Sequence, residues 1–83
     1  MNPHDRLKLS SALTAYDIRQ SKRKGYNRYA IGHYLKALEQ TERAIDQGED
    51  IRSALVANYC GRLLDVTLKA VGLPLSTRDE QRG

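Results

Sequence analysis

Residues 51–71 read IRSALVANYCGRLLDVTLKAV, the most apolar stretch of an 83-residue chain. Plotted as a continuous helix, Leu55, Val56, Tyr59, Cys60, Leu63, Leu64, Val66, Leu68, Ala70 and Val71 cover an arc of about 220°. A surface helix presents a stripe only a little over about 100° wide. The polar remainder is a narrow strip of Asn58, Arg62, Asp65 and Lys69. A helix so placed needs cover on two sides, which makes it the centre of the fold and leaves apolar surface for a partner. Gly61, Leu64, Leu68 and Val71, on its far side, are the expected interface.

Going back along the chain, Gly48 stops a preceding helix and Asp50 caps this one, so the link between them is short and favours an antiparallel hairpin. The preceding helix, expected over residues 28–47, is amphipathic. Ala30, Ile31, Tyr34, Leu35, Ala37, Leu38, Thr41 and Ile45 share one side. Asn27 is its expected N-cap, with Tyr26 stapling onto Ile31. Before it, Asn2 followed by Pro3 and Asp5 signals a helix start, and Gly25 after Lys22, Arg23 and Lys24 signals its stop. The apolar residues of that first helix are split. Leu9, Ala12, Leu13 and Tyr16 lie on one face, and Leu7, Ala15 and Ile18 nearly opposite.

In the other direction, Gly72 offers a C-cap, Leu73 is placed to fold back on the last turn, and Pro74 prevents continuation. The expected architecture is therefore all-α: three helices over about 3–24, 28–47 and 51–71, in up-down-up order with the third central. Residues 1–75 make one helical domain, and 76–83, STRDEQRG, a flexible polar tail. A chain this short sits near the lower limit for a self-sufficient core, which adds to the expectation of a homodimer.

Charge is unevenly placed. Residues 1–36 hold eight basic and two acidic residues, a net of +6, while residues 37–83 hold six basic and eight acidic, a net of −2. The basic excess peaks in RQSKRKGYNRY, residues 19–29, where Arg19, Lys22, Arg23, Lys24 and Arg28 are interleaved with Tyr26 and Tyr29. Such a cluster can neutralise phosphates and stack on unpaired bases. The same residues also complement the dipole at the end of the first helix and aid solubility.

Other chemistry is thinly represented. The only histidines are His4 and His33, neither at ligand spacing from a carboxylate on its helix, and one cysteine excludes an intrachain disulfide or a four-cysteine zinc site. No metal, cofactor or small-molecule substrate is expected. Cys60, on the apolar arc, reads as a small buried hydrophobe. Gly32 and Gly61 fall within expected helices, where each costs about 1 kcal/mol against alanine, so both suggest close approach of a neighbouring backbone. With no apolar run near membrane-spanning length and no signal-like start, the expected setting is soluble and cytoplasmic. The function expected is a non-catalytic helical interaction module that docks on another protein. A nucleic-acid-binding accessory role for the basic cluster is the alternative.

Overall fold

The computed structural model describes residues 1–75, and the expected tail lies outside them. The described residues form four helices and no strand: α1 Pro3–Gln20, α2 Ala30–Asp46, α3 Ile51–Asn58 and α4 Gly61–Ala70. The all-α expectation holds. The expected single third helix does not, because it is two helices joined at an extended break.

Helix α1 starts as its sequence demands. The Asn2 side chain accepts from the His4 N–H at 2.8 Å, and Pro3 occupies the first turn, where a missing N–H costs nothing. It ends at Gln20 rather than Lys24. The Ser21 hydroxyl donates to the Ile18 carbonyl at 2.6 Å, and the chain turns through Arg23 N–H to Gln20 O at 2.9 Å. A serine that bonds a nearby carbonyl competes with the helical ladder, which a dipole argument alone does not register.

Helix α2 likewise starts two residues later than expected. Asn27 is not its N-cap: its side chain accepts from the Tyr29 N–H at 2.8 Å in the preceding turn, and the cap position falls to Tyr29, whose side chain makes no capping bond. The first turn is tight, with Ala30 N–H bonded to Asn27 O at 3.1 Å, and regular α-helix begins only at Ala30. Arg6 meets Glu42 at 2.8 Å near one end of the α1/α2 pair, and Asp17 meets Tyr26 at 2.9 Å near the other, so the two helices run antiparallel.

The α2–α3 hairpin is as read: Asp50 caps α3 by accepting from the Ser53 N–H at 2.9 Å. Hydrogen bonding from Ser53, by its side chain first and its backbone N–H second, holds the Asp50 carboxyl below its ordinary range, helped by the adjacent Arg52 charge. Then α3 stops after eight residues. Asn58 Nδ2 donates to the Ala54 carbonyl at 2.9 Å, Tyr59 and Cys60 are extended with φ of −131° and −143°, and Gly61 opens α4 at φ +59°. That left-handed value is where glycine is uniquely comfortable. The break lets Tyr59 turn inward, 5% exposed, and its hydroxyl donates to the Tyr34 carbonyl at 2.7 Å.

Each helix packs against two others: α1 on α2 and α4, and α3 on α2 and α4. The core between them is built from Leu9 and Leu13 of α1, Leu38 of α2, Leu55 of α3, Tyr59 of the break, and Leu64 and Leu68 of α4. Two buried threonines keep their hydroxyls satisfied within their own helices, Thr41 on Ala37 O and Thr67 on Leu64 O. Helix α4 closes with Leu73 N–H on Leu68 O at 2.9 Å and Gly72 N–H on Lys69 O at 3.1 Å, and Leu73 packs back on the core. Arg52 reaches the Pro74 carbonyl at 3.1 Å, tying α3 to the segment after α4.

Candidate docking groove and basic turn

The break between α3 and α4 redistributes the apolar arc. Two extended residues destroy the 100° phase, so positions before and after them no longer share one wheel. Of the four expected interface residues, Leu64 and Leu68 are buried in the chain's own core and Val71 packs half-buried against it, while Gly61 is exposed. The surplus assigned to a partner is largely absorbed internally. Cys60, expected inside, is exposed, because the extended backbone at the break presents it to solvent. A Cβ added at Gly32 or Gly61 would meet no atom of the described residues within 4 Å, so neither glycine marks a close approach among them.

The basic turn between α1 and α2 is placed much as its sequence implies. Arg19, Lys22, Arg23, Lys24, Arg28 and Tyr29 are all exposed, Tyr29 at 82%. Arg23 spends one N–H on Gln20 Oε1 at 3.2 Å. Tyr26 is half-buried and is not a free stacking ring. Its hydroxyl donates to Asp17 Oδ1 at 2.9 Å, and because that uses its one proton, the 2.9 Å contact with Tyr34 has the Tyr34 hydroxyl as donor. Burial, followed by the bonds to Tyr34 and Asp17, pushes the Tyr26 phenol well above its ordinary value. Tyr16 closes the cluster with an edge-on contact to the Tyr34 ring, centroids 5.9 Å apart. Four of the five tyrosines, Tyr16, Tyr26, Tyr34 and Tyr59, are thus tied into the α1/α2 side of the fold.

A feature not visible in the linear reading lies on the opposite side of α1. Ala12, Ala15 and Arg19 of α1 face Arg62, Asp65, Val66, Lys69 and Ala70 of α4, with Leu75 at one margin, around a groove of about 330 Å³. Its floor is aliphatic and small, and its rim holds three cations and one carboxylate. Among the described residues, Arg19, Arg62 and Lys69 make no side-chain ion pair or hydrogen bond, in contrast to Arg6 with Glu42. Leu7 and Ile18 stand exposed at 66% and 55% on α1, turned further round the same outward side as Ala15. The sequence carried a signal for this site: Val66 interrupts the polar strip of Arg62, Asp65 and Lys69. It was masked by assigning Ala12 to the core face and Ala15 to the spare one.

Among the described residues no group of three or more His, Cys, Asp or Glu could hold a metal ion, and no helix is long and apolar enough to cross a membrane. Comparisons with protein-family models, curated proteins and solved structures found no match.

Proposed function

We propose that this chain is a small non-catalytic helical interaction module that docks on another protein through the α1/α4 groove. The observation that carries the reading is the groove itself, an aliphatic floor of Ala12, Ala15, Val66 and Ala70 under a rim of side-chain cations that are spent on nothing within the described chain. An apolar centre inside a charged margin is the anatomy of a protein-binding patch. The test is partner retention from the source cells with three baits. Wild type and Lys22→Ala/Arg23→Ala/Lys24→Ala hold the same protein, whereas Ala15→Trp, which fills the groove from an exposed position, loses it. Equal retention by Ala15→Trp overturns the reading.

Homodimerisation is the form of docking that needs no second protein. With Leu64 and Leu68 used inside the chain, such a dimer forms through the groove or the adjoining Leu7 and Ile18 surface. Sedimentation at micromolar concentration reads it directly, and a stable monomer there removes it.

A second reading is favoured by the exposure of the whole basic turn together with Tyr29: a nucleic-acid-binding accessory role with Arg19, Lys22, Arg23, Lys24 and Arg28 on phosphates. Binding of this kind weakens steeply with salt, and the Lys22→Ala/Arg23→Ala/Lys24→Ala variant loses affinity for every sequence alike. Absence of a mobility shift at low salt ends it.

A further inference from the structure

We infer that the occupant of the α1/α4 groove is an acidic helical segment of a protein partner, its aliphatic side chains seated between Ala12, Ala15, Val66 and Ala70 and its carboxylates on Arg19, Arg62 and Lys69. The inference rests on the docking reading above and adds the chemistry of the partner.

Charge complementarity decides the sign. Three cations and one carboxylate border the groove, and residues 1–36, which supply its α1 wall, carry a net of +6. Because these cations have no side-chain partners among the described residues, a carboxylate reaching them breaks no existing ion pair. Two of the three are arginines, whose planar fork suits a carboxylate bidentately.

Shape decides the backbone. An extended peptide gains its affinity from a sheet edge, and the described residues hold no strand. A groove between two helices with alanines and valine in its floor instead admits a third helix, read through anchors at i, i+3 or i+4, and i+7. At about 330 Å³ the space is at the bottom of the range of ~300–1,000 Å³ for small-molecule sites. No lining residue carries an aromatic ring, which sets the groove apart from a base-stacking surface.

The experiment titrates the isotopically labelled full chain with three synthetic helical peptides that share leucines at i, i+4 and i+7 and carry Glu, Gln or Lys beside them. The Glu peptide is expected to shift the amides of Ala12, Ala15, Val66 and Ala70, and to bind about tenfold more tightly than the Gln peptide at low salt, the sum of a few exposed ion pairs. In Arg62→Glu/Lys69→Glu, two exposed positions whose helicity is checked by circular dichroism, the order reverses and the Lys peptide binds best. Equal binding of all three peptides within the groove overturns the acidic partner and leaves the docking reading standing. Peptides that leave the groove amides unmoved remove both. Groove amides that shift instead on self-association, on contact with residues 76–83, or on adding a single-stranded oligonucleotide also overturn the inference.

Discussion

Helix α1 has two seams, and they are built on opposite principles. Against α2 its Tyr16 ring meets Tyr34 edge-on and its Asp17 accepts from Tyr26, whose hydroxyl also meets that of Tyr34, with Tyr59 reaching the Tyr34 carbonyl from the α3–α4 break. Against α4 its groove wall is Ala12 and Ala15, and the space beyond them stays open. Rings with polar tips fill volume and find bonding partners at the margin, so that seam is closed. Alanines hold two helices at contact distance without filling the outer groove, so the other seam retains a recess. One face of the helix is therefore closed by packing and the other borders an open recess.

The largest break in this contrast comes from Tyr59, which stands where α2, α3 and α4 meet. Tyr59→Ala removes a buried ring and is expected to cost about 3–5 kcal/mol in denaturant unfolding. Tyr59→Phe keeps the ring and loses only the bond to Tyr34 O, for about 1 kcal/mol. Should the two variants cost the same, the hydroxyl rather than the ring holds the junction.

The same seam predicts a weakness at high pH. Burial raises the Tyr59 phenol above its ordinary value, and burial with the bonds to Tyr34 and Asp17 does so for Tyr26. A folded-state value above the unfolded one favours the neutral phenol in the native state. The stabilisation is fully present below the unfolded tyrosine value of about 10 and is lost as pH rises through the folded value. Urea midpoints should fall as pH rises above about 10, and Tyr26→Phe/Tyr59→Phe should flatten that fall. An unchanged slope in the double variant would place the sensitivity outside the tyrosine seam.

How much of this was legible follows from the range of each signal. The Asn2 and Asp50 caps, the α2 face, the Gly48 turn and the Gly72–Leu73 closure are local, settled within a few residues, and the sequence displays them. The break at Tyr59 and Cys60 is also local, but a hydrophobic period is summed over a window, and two extended residues leave the apolar count unchanged. Gly61 was the visible clue, and its meaning was a left-handed backbone rather than room for a neighbour. The tyrosine chain joins Asp17, Tyr26, Tyr34 and Tyr59 by single links of up to 25 positions and has no linear signature, and the groove, which joins α1 to α4, leaves only Val66 within the polar strip as its trace. The basic turn was readable because its residues are consecutive. The bonding of Tyr26 to Asp17 and Tyr34 was not, because those partners lie nine and eight positions away.

Gly61 therefore gives the next largest effect. Gly61→Ala places a Cβ at φ +59°, which is expected to cost about 1–2 kcal/mol even though the space around it is empty. Because Gly61 opens the helix that carries Arg62, Val66 and Lys69, the strain should also loosen the groove, seen as faster amide exchange in α4 than in α2. Uniform acceleration in both helices would mean that the break and the groove are not separately coupled.

Gly32 supplies the smallest effect and the opposite sign. It lies in α2 with no positive φ and no atom within 4 Å of an added Cβ, on an exposed turn of the helix. Gly32→Ala removes backbone freedom from the unfolded chain without meeting anything in the folded one, and should stabilise by about 0.5–1 kcal/mol. Thermal unfolding of the two alanine variants side by side separates the two kinds of glycine: one fitted to a backbone conformation, the other to nothing among the described residues. A loss at Gly32 instead of a gain would mean that the surface of α2 meets a second molecule closely enough to exclude a methyl group, and it would then move the docking surface away from the α1/α4 groove.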